Sequence, residues 1–327
     1  MPKSDRHDAI KAAIRNRVPR APGVYLFHDR YGRTIYIGKS VNLRQRMLSY
    51  FNADQARHEN RIRQMVFSVD DFEFRETQTE LLALLLEDAL IKRRTPPYNV
   101  RQQEYARYCY LHLTDDPYPT CKIVSHEGVA GGALFGPFRD GYLAADILAV
   151  VNQHIHLRSC ADQAPFRRSL NFDLGFCTGP CRGNVSAADY AKIVERAREF
   201  LEGRDEWMAA KLREDMARSA ERLEYEKAAE LKAELAFCQD LCARQRFIAD
   251  FRAGPESLRE EGDGGATYEF SRGSLLKISG TRDTEAQSGS IPEELLEQQT
   301  DPRWVLDRAN LVYGWLRRRG MIGSAAP

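Results

Sequence analysis

The segment Pro22-Gly23-Val24-Tyr25, with Tyr36-Ile37-Gly38-Lys39 following at an eleven-residue tyrosine spacing, constrains this chain most. Each tyrosine sits in a short run that alternates apolar and polar residues, the pattern of a half-buried strand. Asp29-Arg30-Tyr31-Gly32-Arg33 between them is a polar, glycine-containing turn. The spacing predicts a β-hairpin with one tyrosine on each strand. A phenol pair beside Gly38 and Lys39, followed by an arginine-rich helical stretch, points to phosphate chemistry.

The flanking patterns predict a small α/β domain. Ile10, Ile14 and Val18 give a short amphipathic helix over about 5–18, which Pro19 and Pro22 end. Leu43, Met47 and Tyr50 form one stripe of a helix over 40–51. Asp71–Glu76 is a third strand. Thr77-Gln78-Thr79-Glu80 carries a capping-box signature and opens an apolar helix from Leu81 to about Arg94, stopped by Pro96-Pro97.

Farther on, residues 102–160 carry short strand patterns, a Gly131-Gly132 turn, a loop over Gly136–Gly141 and a helix over about Ala144–His154. Residues 187–245 are helix formers, broken at Gly203-Arg204-Asp205 and near Leu223-Glu224-Tyr225. The Gly/Glu-rich stretch 253–265 reads as a linker. A hairpin over Tyr268–Ser279 and a helix over about Pro302–Arg319 close the chain.

Charge narrows the class. Net charge is only +1, but residues 1–100 hold 18 Lys and Arg against 12 Asp and Glu. A basic first domain on a near-neutral chain fits a polyanion footprint. It also fits a basic surface with no ligand. No apolar run nears the ~18 residues of a membrane span, and the polar N-terminus is unlike a signal peptide. Seven cysteines without an export signal argue for reduced thiols or a metal site, and for a cytoplasmic protein.

Hydrolysis of a phosphodiester needs a base for water, positive charge for the phosphoryl oxygens and help for the leaving oxygen. Tyr25 and Tyr36 offer phenols. Arg46 offers a fork of donors and shares a helix face with Tyr50. Lys39 adds charge. Glu87 is spaced with Leu84 and Ile91 on an apolar face, where a metal or hydrogen-bond partner would offset its burial. One carboxylate with waters and phosphate suits Mg2+ or Mn2+. Asn99 offers an amide. Each residue alone has an ordinary reading: tyrosines as strand packing, Arg46 as solvated charge, Glu87 as surface.

The order Gly-Val-Tyr, Tyr-Ile-Gly-Lys, Arg, Glu, Asn resembles the GIY-YIG nuclease domain, and more narrowly the UvrC family of nucleotide-excision-repair endonucleases with its short Cho-type members. The strings are Ala21-Pro22-Gly23-Val24-Tyr25, Ile35-Tyr36-Ile37-Gly38-Lys39, Leu43-Arg44-Gln45-Arg46 with Ser49-Tyr50-Phe51, Leu86-Glu87 with Leu90-Ile91-Lys92, and Pro97-Tyr98-Asn99-Val100. Val24 replaces the motif's first Ile, and Ala89 stands where the family often has Asn. The resemblance implies that Tyr25 and Tyr36 position or activate water, with either as base. It implies that Arg46 stabilises the phosphorane and that Glu87 holds one Mg2+ or Mn2+. Lys39, Arg44, Tyr50 and Asn99 would support phosphate and DNA binding.

Cys177-Thr178-Gly179-Pro180-Cys181, with Cys160 upstream, has the makings of a zinc or iron–sulfur site. The resemblance implies a four-cysteine iron–sulfur site, but its second cysteine is Ser169 here. His154, His156 or an outside ligand would have to complete it, and free thiols are the other reading. Residues 216–231 resemble the UVR motif, a helical hairpin that pairs UvrB with UvrC. An apolar-faced two-helix unit suits a partner surface; an intramolecular hairpin is the alternative.

The expected architecture is α+β and multi-domain. It comprises a helical leader (1–19), a GIY-YIG domain with a three-stranded antiparallel sheet flanked by helices (20–101), a mixed α/β cysteine-containing middle domain (102–205), a helical hairpin (206–246) and a small C-terminal region (247–327). The resemblance fades after about residue 250, and no second nuclease site is recognisable. The expected activity is therefore a single cut 3′ to a lesion in damaged double-stranded DNA, with UvrB as partner and UvrA upstream. Rival readings are a non-catalytic adaptor for UvrB or DNA, and a structure-specific nuclease independent of UvrB.

Overall fold

The computed structural model describes residues 3–51, 60–99, 108–125, 128–138, 140–160, 170–204, 206–260, 265–280, 291–297 and 302–322. In chain order the elements are α1 (Lys3–Arg17), β1 (Gly23–His28), β2 (Thr34–Ser40), α2 (Leu43–Ser49), α3 (Asn60–Ser68), β3 (Asp71–Glu76), α4 (Glu80–Arg94), β4 (Cys109–Leu113), β5 (Cys121–Val124) and β6 (Ala133–Phe138). There follow α5 (Gly141–Ile155), α6 (Leu170–Asp173), α7 (Ala187–Leu201), α8 (Glu206–Glu221), α9 (Tyr225–Ala253), β7 (Pro255–Glu260), β8 (Ala266–Ser271), β9 (Ser274–Gly280), α10 (Glu293–Glu297) and α11 (Pro302–Arg318). Two compact units result: Met1–Glu104 with Asp250–Arg318, and Tyr105–Ala249 with Arg319–Pro327. None of the described helices is long and apolar enough to cross a membrane.

In the first unit, an antiparallel sheet of order β2-β1-β3 carries the tyrosine hairpin. Asp29 shapes its turn by accepting from the Tyr31 and Arg33 amides, and Gly32 takes a left-handed φ of 73°. Every residue of β1 is buried. This differs from the half-buried strand expected, because β1 is central and covered on both faces. Tyr25 and Phe27 face a core with Ile10 and Ile14 of α1, Leu43 and Met47 of α2, and Met65 and Val66 of α3. Val24 and Leu26 face the other way, onto Ala83, Leu86 and Leu90 of α4.

Three expectations for this region need correction. The second helix starts at Leu43, since β2 runs on through Ser40 and Asn42 caps the helix. The cap of α4 is Thr79, whose side chain accepts from the Leu82 amide. Thr77 instead donates to the Thr79 carbonyl, so Glu80 is not the partner of a capping box. The supposed linker contains β7, paired along its length with β8 in a sheet of order β7-β8-β9. That sheet and the helices after it belong to the same compact unit as the first hundred residues, rather than to a separate C-terminal region.

The second unit has a sheet of order β5-β4-β6. Gly136–Phe138, expected in a loop, ends β6. Leu111, Phe135 and Ile147 share one core with Tyr190 and Phe200 of α7, Leu212 of α8, and Leu231 and Leu241 of α9. The helical hairpin α8–α9 is therefore built into the middle domain's core. Its tip, where Leu223 takes a left-handed φ of 60°, leaves Leu223 and Tyr225 exposed.

Candidate active site

The sheet register creates the site. Tyr25 on β1 lies opposite Gly38 on β2, and Phe27 lies opposite Tyr36. A Cβ at position 38 would run into the Tyr25 hydroxyl and ring, so the glycine gives Tyr25 its room. A Cβ at Gly23 would meet the Arg75 carbonyl oxygen and Leu43. Both motif glycines answer to close packing rather than to a turn.

Three phenols meet on this face. Tyr50, one residue past α2, lies 2.8 Å from the Tyr25 hydroxyl and donates to the Tyr36 hydroxyl at 3.2 Å. With the Tyr50 proton committed to Tyr36, Tyr25 is the donor to Tyr50. The result is a directed chain, Tyr25 to Tyr50 to Tyr36. Tyr25 and Tyr50 are buried, whereas Tyr36 is only half-buried. Burial first, and then the neighbouring phenols, holds the Tyr25 hydroxyl far above the ordinary tyrosine range. Tyr36 is raised as well, by burial, by Tyr50 and by the negative charge of Glu87, with Arg46 opposing. The guanidinium of Arg46 lies 4.9 Å from the centre of the Tyr50 ring. Partial burial works against its charge, but the oxygens of Tyr25, Tyr50 and Tyr36 hold its pKa above the usual value.

The free edge of β2 is covered by groups from α4 and the segment after it. Tyr98 N–H donates to the Ile35 carbonyl at 3.1 Å. Asn99 clamps Ile37, accepting from its amide at 2.8 Å and donating to its carbonyl at 2.7 Å. Glu87, 8% exposed, accepts from the Lys39 amide at 3.0 Å. Glu80 takes the Lys39 ammonium at 3.0 Å. The two carboxylates, seven residues apart on α4, thus grip one residue of β2 by side chain and by main chain.

The sequence-predicted residues therefore divide. Tyr25, Tyr36, Tyr50 and Arg46 form one cluster, and Glu87 lies within electrostatic reach of Tyr36. Asn99, expected at phosphate, is buried with its amide on Ile37. Arg44, expected at DNA, donates to the Val18 carbonyl at 2.6 Å and so holds the end of α1. Glu80, set aside for a cap, is the residue the sequence reading missed. Its seven-residue spacing from Glu87 was the available signal. Val100 lies outside the described residues.

Among the described residues no group of three or more His, Cys, Asp or Glu side chains is placed to hold a metal ion. A site built on the single carboxylate of Glu87 is compatible with that, since Mg2+ keeps most of its shell as water and phosphate. The expected cysteine site needs at least three ligands, and no such group is placed together among the described residues. Cys160, Cys177 and Cys181 influence one another electrostatically, but burial pushes the Cys177 thiol up, away from thiolate. Cys177 sulfur accepts from the Gly179 amide, and Arg158 approaches Cys160. His154, a proposed fourth ligand, pairs with Glu234 at 3.0 Å. These groups form no cluster of three or more candidate ligands among the described residues, and Ser169 lies outside those residues.

Sequence and structure comparisons place known proteins beside this geometry. The family model described as UvrC-like GIY-YIG domain matches residues 21–100, and that described as UvrC/Cho excinuclease, middle domain, matches 108–200. UvrABC system protein C of Methanothermobacter thermautotrophicus is 36% identical over 233 residues, covering 70% of this chain and 39% of that protein. The Moorella thermoacetica protein of that name is 37% identical over 237 residues, 71% of this chain and 38% of its own. The Haloarcula marismortui protein is 38% identical, with 93% of this chain and 56% of that one covered. The chain spans about two fifths of the first two relatives. The crystal structure of the GIY-YIG N-terminal endonuclease domain of UvrC from Thermotoga maritima, bound to its catalytic divalent cation magnesium, is 34% identical. It covers 28% of this chain and 98% of that one, with a TM-score of 0.25.

Proposed function

Because the chain belongs to the UvrC family, matching its GIY-YIG and middle-domain models in order, we propose that it is a metal-dependent endonuclease of nucleotide excision repair. On this reading it hydrolyses one phosphodiester on the 3′ side of a lesion in duplex DNA. UvrB on the DNA recruits it, UvrA acts upstream, and the work is cytoplasmic. The observation that carries the reading is the directed hydroxyl chain ending at Tyr36, flanked by Arg46 and Glu87.

Glu87 would hold Mg2+ or Mn2+. When bound, such a cation offsets charge on the phosphoryl oxygens and acidifies coordinated water. Arg46 pairs with the nonbridging phosphoryl oxygens through its fork of donors. Tyr36, once its own proton has passed to solvent, orients the attacking water as a phenolate and takes its proton, because it is the more exposed of the motif tyrosines. Tyr50 donates to Tyr36 and stabilises that phenolate before it takes the water's proton; Tyr25 donates to Tyr50 and fixes its direction. The negative charge of Glu87 helps keep Tyr36 protonated, so positive charge drawn to Glu87 favours the base form. Lys39, held by Glu80, adds positive charge at the end of β2. The exposed tip of the α8–α9 hairpin, Leu223 and Tyr225, is the surface offered to UvrB.

The test is incision of an end-labelled, lesion-bearing duplex with and without UvrB, with cuts mapped on both strands. A UvrB-dependent cut 3′ to the lesion is expected, and Glu87→Gln should abolish it while leaving the circular dichroism spectrum unchanged. Incision by that variant at the wild-type rate would remove Glu87 from the mechanism. A 5′ cut, or equal cutting without UvrB, would overturn the proposed reaction.

A further inference from the structure

We propose that a cleft in the second unit, between the end of α5 and the α8–α9 hairpin, binds phosphodiester backbone of the DNA substrate at a place distinct from the tyrosine site. Its volume is about 400 Å³, and its walls carry Lys211, Arg218, Arg222 and Lys227, with His154 and His156. That volume falls in the range of small-molecule pockets, about 300–1,000 Å³, but those are mostly apolar. Here the wall is ionic, which disfavours an apolar occupant and suits a polyanion.

The charge balance inside the cleft is uneven. Among the described residues Asp215 is the one carboxylate on its wall, with Glu234 beside His154 at 3.0 Å, and Asp215 serves two cations at once, Lys211 at 3.0 Å and Arg218. Glu214 and Glu224 stand 3.8 Å from Arg218 and Lys227. Their side chains are 69% and 43% exposed, where water and salt weaken the attraction. Arg222 makes no ion pair among the described residues. Concave walls of one sign focus the field on their contents. A phosphate group in the cleft would relieve the crowding of cations that Asp215 and the exposed Glu214 and Glu224 offset only in part.

Phosphate contacts in a duplex are read by salt dependence, because each one releases counterions. The experiment uses the full chain in EDTA, a fluorescein-labelled duplex and anisotropy between about 50 and 200 mM salt. The double substitution Arg222→Ala with Lys227→Ala should weaken binding about tenfold and make the log–log salt slope shallower by about two. The pair Arg222→Lys with Lys227→Arg should keep the wild-type slope. Because no cutting is measured, the result stands apart from the nuclease reading. Unchanged affinity and slope in the alanine pair would overturn the proposal, as would equal loss in the charge-conserving pair. Should the alanine pair misfold, Arg222→Gln alone should change the slope by about one, and no change would overturn the proposal. Thermal stabilisation by inorganic phosphate that needs Arg222 and Lys227, with an unchanged DNA slope, would assign the cleft to free phosphate instead. Loss of UvrB binding with an unchanged slope would assign it to a protein partner; either result overturns the DNA assignment.

Discussion

At the scale of single residues, the site depends on what is missing at position 38. Tyr25 occupies the space a Cβ would take, and its hydroxyl starts the chain that ends at Tyr36. Gly38→Ala should push the Tyr25 ring off Tyr50 and cut the nicking rate about 100-fold, the scale of a 1 Å misplacement. The fold should persist, as judged by an unchanged circular dichroism spectrum with a melting point lowered by overpacking; a wild-type rate would contradict the packing argument. The raised pKa of Tyr36 gives a second prediction. A base whose pKa lies above the assay pH gains phenolate tenfold per pH unit, so log rate should climb with a slope of about one through neutrality. Tyr36→Phe should flatten that slope as well as lower the rate, and a slope that persists would assign the titration elsewhere. Sequence order grouped Tyr25, Tyr36, Arg46 and Glu87 as candidates, and the fold brings them near one another. That order could not show that Tyr50 bridges the two motif tyrosines, because that depends on where the residue after a short helix points. Nor could it place Glu80, since a Thr three residues earlier imitates a capping box.

At the scale of elements, β2 is an edge strand whose outward main chain is covered by side chains rather than by another strand. Asn99 does for Ile37 what a neighbouring strand would do, with one donor and one acceptor. Asn99→Ala would leave a buried N–H and C=O without those partners, at about 1–3 kcal/mol for each unsatisfied group, less where water enters. The expected loss is about 2–3 kcal/mol in urea denaturation, with faster hydrogen exchange at the Ile37 amide. A loss under about 0.5 kcal/mol, the scale of a neutral surface change, would mean that the clamp is dispensable. The sequence shows an asparagine after a helix and a Pro pair. It carries no direct sign that β2 lies at the edge, and so Asn99 read as a phosphate ligand. The glycine- and glutamate-rich stretch hid β7 for a similar reason: its polar residues fit a linker as well as an exposed strand.

At the scale of the molecule, the first hundred residues and 250–318 form one unit through contacts that cross about two hundred positions of chain. Arg75 reaches Glu294 at 2.5 Å, Thr79 meets Tyr268, and the Leu81 amide donates to Glu260 at 3.2 Å. The deepest link is Lys92, its side chain 1% exposed, between Asp88 at 2.7 Å and Asp307 at 2.8 Å. No local pattern announces such a pair, because periodicity reports only neighbours in sequence. Burial lifts the Asp307 carboxyl to about 6 although Lys92 pulls it down. An unfolded Asp titrates near 3.9, so between those values the folded chain holds a proton the unfolded chain has released. Stability from this group is therefore greatest at low pH, falls as pH rises through the window of about 4 to 6, and is level above it. Asp307→Asn has no such proton. The wild type should lose about 2–3 kcal/mol relative to that variant between pH 4 and pH 7, and parallel melting-point curves would refute the assignment. Lys92→Met asks more, since it leaves the buried Asp307 and the partly buried Asp88 without their cation, a cost of about 3–5 kcal/mol. If the unit is cooperative, exchange should quicken together in 80–94 and 266–280, while 187–201 in the second unit keeps its protection. Faster exchange confined to 80–94 would mean that the C-terminal sheet is held independently of the helix that carries Glu87.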